Sequence, residues 1–80
     1  MSIIVKLFAH YRDLLGQREV TVAARPGLTV SDVFVQLVGG KAGDELRRAT
    51  LFAVNEQYVP ADTALKDGDR VAFIPPVSGG

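Results

Sequence analysis

No cysteine occurs among the 80 residues, which excludes a disulfide framework, a thiolate metal site and a persulfide-carrying or nucleophilic thiol on this chain. A reducing, cytoplasmic setting fits that composition. Charge of one sign is missing too: nine Lys and Arg balance nine Asp and Glu, and neither sign gathers into a run. Without a basic stripe or a polybasic segment, no nucleic acid and no membrane partner is expected. Long hydrophobic runs are also lacking. The opening MSIIVKLFAH is broken by Lys6 and has no basic segment ahead of its apolar residues, so a soluble, untargeted protein is expected. Histidine is nearly absent, and the single His10 has no second soft ligand beside it. It is expected to be a structural bystander, and no metal site is expected.

What is present points to one small domain. Eighty residues supply a single modest core and little chain for a deep pocket, which disfavours a self-contained enzyme. Counting the eight Gly and leaving out the two Tyr, the apolar share exceeds the roughly 45 to 50% of ordinary domains. That surplus fits a face covered by a partner.

Residues 3 to 8, IIVKLF, read as a first strand, with Ile3, Val5 and Leu7 on one face and Ile4, Lys6 and Phe8 on the other. Lys6 marks the second face as the wet one. AHYRDLLGQ reads as a short helical turn closed by Gly16, and REVTV as a second, antiparallel strand. In ARPGLTVSDVFVQLVGG, a Pro26-Gly27 turn and the N-cap candidate Thr29 precede Val30, Val33, Phe34, Leu37 and Val38 at helical spacing. Asp32 completes a weakened capping box, its side chain shorter than the usual Glu, and Gly39 and Gly40 end the helix. DELRRA suggests another short turn. TLFAV and QYV read as a hairpin joined by Asn55-Glu56 and stopped by Pro60. A turn at Lys66-Asp67-Gly68-Asp69 leads into a last strand from Arg70 to Ile74, ended by Pro75 and Pro76. The order suits an α+β, grasp-like sheet with one main helix packed on one face. The domain is expected over residues 1–74, with residues 75–80 as an extended tail.

The interior offers no evident chemistry. Asp67-Gly68-Asp69 lacks the acidic spacing and distal Glu of a calcium loop, and GGKAG fails the P-loop pattern. Asp44, Glu45, Asp67 and Asp69 sit in polar loops, where carboxylates are expected to be solvated. The C-terminus remains. After the last strand, two prolines fix φ and favour an extended path. Six residues from Pro75 to Gly80 can reach roughly 20 Å, and the last two lack a Cβ, so the tip suits a narrow channel. A frayed polar end is the plain alternative.

KLFAHYRDLLG, AVNEQYV and LKDGDRVAFIPPVSGG together resemble the family of molybdopterin synthase small subunits, which are ubiquitin-like β-grasp sulfur carriers. The terminal pattern DGDxVAFxPPVxGG is specific to that family, whereas Gly-Gly alone is shared by every ubiquitin-like carrier. The resemblance implies a mixed five-stranded β-grasp sheet. It also implies that the carboxylate of Gly80 is adenylated by an ATP-dependent adenylyltransferase and converted to a thiocarboxylate by a sulfurtransferase. No cofactor is bound, ATP being used by the activating partner. The large subunit then receives the tail, threaded through Gly79, and the sulfur builds the dithiolene of molybdopterin. A heterotetramer with two large subunits is implied.

Carboxylate chemistry agrees with that cycle. A terminal carboxylate is an anion at neutral pH and a poor electrophile; adenylation supplies a leaving group, and the resulting sulfur becomes the nucleophile. Phe8, Tyr58 and Ile74 match positions that form an apolar patch against the large subunit in the family, with core packing as the alternative for each. Pro75, Pro76, Val77 and Ser78 complete the partner-binding set. Arg12 is a weaker candidate for meeting the activating enzyme, and the loop 39–48 carries no assignment. The same chemistry also serves carriers for thiamine or tRNA thiolation. A ubiquitin-like protein modifier, joined through Gly80, or a plain β-grasp binding module are the other readings.

Overall fold

Alternation in the first strand is what builds the sheet. In the computed structural model, which describes residues 1–76, β1 (Ser2–Leu7) buries Ile3, Val5 and Leu7 and turns Ile4 and Lys6 the other way. The strand ends one residue earlier than the sequence suggests. Phe8 keeps extended angles but serves as the N-cap of α1 (Ala9–Leu15), which closes on Gly16 at φ 69°. Glycine reaches that left-handed value without a Cβ penalty. β2 (Glu19–Ala23) then returns antiparallel to β1.

α2 (Val30–Leu37) carries Val30, Val33 and Phe34 into the core, with Val38 at its C-cap also buried. Its capping box forms in full: the Asp32 N–H donates to Thr29 Oγ1 at 3.1 Å and the Thr29 N–H to Asp32 Oδ2 at 3.0 Å. The shorter Asp side chain therefore spans the box after all. Those bonds from Thr29, backbone first, hold the Asp32 carboxyl below the usual carboxylate range. DELRRA forms a true helix, α3 (Asp44–Ala49), with acids in its first turn and Arg47 and Arg48 in its last, matching the helix dipole.

β3 (Leu51–Val54), β4 (Gln57–Val59) and β5 (Arg70–Ile74) complete a five-stranded sheet of order β2-β1-β5-β3-β4. β5 lies parallel to β1 and antiparallel to β3, so the sheet is mixed. Asn55 and Glu56 both take positive φ, 51° and 70°, the combination of a two-residue type I′ hairpin. The helices cover one face only. Between them and the sheet, Phe73 packs edge-to-face on Tyr11, Phe34 and Phe52. Among the described residues, no helix is long and apolar enough to cross a membrane.

Candidate functional site

The other face of the sheet is open. Register places Glu19, Lys6, Ala72, Ala53 and Tyr58 in one row across all five strands. Two alanines at the middle of that row leave a low floor between larger neighbours. The result is a shallow groove of about 650 Å³ lined by Phe8, Tyr58, Ile74, Ala53 and Ala72, together with Lys6, Glu56 and Arg70.

Phe8, Tyr58 and Ile74, distant in sequence, thus meet at one groove. Tyr58 is 71% exposed and Phe8 45%, while Ile74 is half-buried. That exposure excludes core packing for Tyr58 and Phe8, while along β5 the core residues Val71 and Phe73 point away from Ile74. Leu51, paired with Ile74 and 55% exposed, extends the apolar surface; sequence reading missed it, as it missed the alanine floor. Exposed aromatic and aliphatic side chains with charges nearby are the makings of a partner-binding patch.

β5 delivers the chain to this face. It is the central strand, hydrogen-bonded to β1 on one side and β3 on the other, so its end is a rigid base. Pro75 is half-buried and Pro76 exposed. Val77, Ser78, Gly79 and Gly80 lie outside the described residues. Arg12 and His10 are exposed on α1; Arg12 borders a separate depression with Asp13, Gly16, Gln17 and Arg18, away from the groove.

The expectation of solvated loop carboxylates fails at Asp69, which is 5% exposed. Its Oδ1 accepts from Asn55 Nδ2 at 3.0 Å and its Oδ2 from the Lys66 N–H at 2.9 Å. Burial is tolerated because both oxygens are paired. Asp67 does stay exposed, accepting from the Ser2 N–H at 2.7 Å.

Comparison with known proteins converges on one group. The ThiS family profile matches residues 5–80. The molybdopterin synthase sulfur carrier subunit of Chlamydomonas reinhardtii is 42% identical, covering 100% of both chains. Among solved structures, SAMP1 from Haloferax volcanii superposes with a TM-score of 0.83 at 32% identity over 100% of both chains. The fold also recurs, at a TM-score of 0.67 and 23% identity over 100% of both chains, in a complex of subunits 1 and 2 of molybdopterin-converting factor from Helicobacter pylori. The five-stranded β-grasp sheet and the full-length match agree: the chain belongs to the ThiS family, among the molybdopterin synthase sulfur carrier subunits.

Proposed function

We infer that the chain carries sulfur on the carboxylate of Gly80 for the dithiolene of molybdopterin, as the small subunit of molybdopterin synthase in molybdenum cofactor biosynthesis. The observation that carries this reading is the placement of β5: the central strand of the sheet ends at Ile74, on the groove, and continues in sequence as PPVSGG. A rigid base beside a docking face is suited to presenting a thin terminus to another protein's active site.

The chemistry balances without a cofactor on this chain. A Gly80 carboxylate oxygen attacks the α-phosphorus of ATP held by the activating adenylyltransferase, and pyrophosphate leaves. The outer sulfur of a persulfide on the sulfurtransferase then attacks the acyl carbon, and AMP leaves with the bonding pair; a thiol cleaves the resulting acyl disulfide, forming a disulfide with the transferase and freeing the thiocarboxylate. The terminal sulfur next bonds to a carbon of a cyclic pyranopterin precursor in the large subunit, displacing an oxygen substituent, and water cleaves the thioester to return Gly80 to its carboxylate; two loaded chains supply the two dithiolene sulfurs. Phe8, Tyr58 and Ile74 provide the docking contacts, with Pro75, Pro76, Val77 and Ser78 as the approach and Gly79 as the slender neck.

The Helicobacter pylori complex supports docking onto a large subunit, and two such pairs would form the heterotetramer. A second reading is favoured by one observation: the 32% identical Haloferax volcanii protein belongs to the small archaeal modifier proteins, so attachment to lysines competes with sulfur transfer. Reconstitution separates them. Thiocarboxylated chain mixed with large subunit and precursor should yield dithiolene, whereas lysine adducts in cell extract without dithiolene formation would favour the modifier.

A further inference from the structure

We propose that Asn55 and Asp69 form a positioning pair that sets the Tyr58 wall of the groove against β5, the strand that leads to the tail. This rests on the docking face of the proposed function and names what gives that face its shape.

Two residues, by side chain and backbone, tie four segments together. Asp69 accepts from Asn55 and from the Lys66 turn, while its carbonyl accepts the Ile4 N–H of β1 at 3.1 Å. Asn55 reads the other way: its Oδ1 accepts the Arg70 N–H at 3.0 Å, and its own N–H donates to the Arg70 carbonyl at 2.8 Å. β1, the 66–69 turn, the β3–β4 hairpin and the start of β5 are therefore locked at one point.

Tyr58 depends on that lock. It stands on β4, a three-residue edge strand whose partner in the sheet is β3 alone. β3 is laddered to β5 from Leu51 to Val54, and Asn55, which also lines the groove, extends that hold past the end of the strand, so the placing of Tyr58 beside Ala53 follows it. A buried carboxylate is a costly way to hold a sheet edge. What a satisfied polar network adds is a single geometry, since shifting the hairpin along β5 would take the Asn55 donor away from the buried Asp69 carboxylate.

Donor and acceptor bookkeeping makes the pair testable. Asp69→Asn alone must give up one contact: if its oxygen keeps the Lys66 N–H, its Nδ2 faces the Asn55 Nδ2, donor against donor. Asn55→Asp alone sets carboxylate against carboxylate. The double swap N55D/D69N restores every bond, because Asn at 69 accepts from Lys66 and donates to Asp at 55, which accepts from Arg70.

The experiment measures affinity of the full chain for the large subunit by calorimetry, at a temperature where circular dichroism shows each variant folded. Asn55→Ala and Asp69→Asn should each weaken binding about tenfold. The swap should return it to within about threefold of the parent, with Tyr58 ring signals shifted in the single variants and restored in the double. Thr50→Val, which loses two hydrogen bonds on the helix side, should lower stability and leave affinity alone. Parental affinity in Asn55→Ala, or tenfold weaker binding by a folded N55D/D69N, overturns the positioning role. Tyr58→Ala distinguishes the deeper failure: parental affinity there removes the docking face itself, while a weakened Tyr58→Ala beside an unaffected Asn55→Ala removes only the pair.

Discussion

Tyr11 Oη lies 2.6 Å from Thr50 Oγ1 inside the helix layer, and Thr50 Oγ1 in turn donates to the Leu46 carbonyl at 2.7 Å. With the threonine proton committed to Leu46, the tyrosine hydroxyl is the donor between the two. The chain of bonds runs from α1 to the C-terminal end of α3, 39 residues apart in sequence.

That direction makes the two deletions unequal. Tyr11→Phe leaves Thr50 bonded to Leu46 and should cost about 1 kcal/mol. Thr50→Val strands a fully buried tyrosine hydroxyl, also removes the bond to the Leu46 carbonyl, and should cost about 2 kcal/mol. Urea denaturation of both single variants and the double gives the coupling; equal costs would contradict the penalty for stranding the Tyr11 hydroxyl.

Phe73 is the aromatic hub and is fully buried. Replacing it with Ala removes three edge-to-face partners and opens a cavity under the central strand, which should cost about 3 to 5 kcal/mol. In a domain of this size that approaches the whole stability. Tyr58→Ala, on the opposite face, should change stability by less than about 0.5 kcal/mol. Thermal melts of the two variants test whether the faces divide stability from binding.

Glu56 holds φ 70° at the second position of the hairpin turn, where an L-residue is strained by roughly 1 to 2 kcal/mol. Glycine takes that value freely but loses more entropy on folding. Glu56→Gly should therefore raise stability by about 0.5 kcal/mol, read as a higher denaturation midpoint. A lower midpoint would show that the Glu side chain stabilises the turn by contacts of its own.

Asp32 links stability to pH. Its carboxyl is held below the usual range by the Thr29 N–H and hydroxyl, so the folded pKa is depressed relative to the unfolded one. The stability it contributes is present above about pH 4, the unfolded value, and is lost as pH falls through the folded pKa. Asp32→Asn should flatten the stability profile below about pH 4 and leave the groove untouched. A profile of unchanged slope would remove the capping box from the acid response.

Much of this architecture is legible in the sequence. Ile3, Val5 and Leu7 alternate too cleanly to belong anywhere but one face, and the 3.6-residue spacing from Val30 to Val38 gives the main helix. Opposition of Val71 and Phe73 to Ile74 follows from the same alternation. Other features are hidden because they depend on distant partners. Tyr11 lies in a short helix of mixed composition, and its burial is decided by Thr50 and Phe34. Asp69 looks like a loop acid until Asn55 and the Lys66 N–H are brought to it. Ala53 and Ala72 make the groove by being small, a property that leaves no mark in a hydrophobic pattern. The role of Gly80 came from the resemblance of the terminal sequence to a family, since two glycines alone fit many tails.

Intact-mass spectrometry of the full chain, after incubation with ATP, the activating enzyme and a sulfur donor, tests the central claim most directly. Exchange of one carboxylate oxygen for sulfur should raise the mass by about 16 Da, localised by fragmentation to Gly80 and abolished when Gly79 and Gly80 are deleted. An unchanged mass, or label found only in conjugates to lysine, would contradict the assignment of this chain as a sulfur carrier.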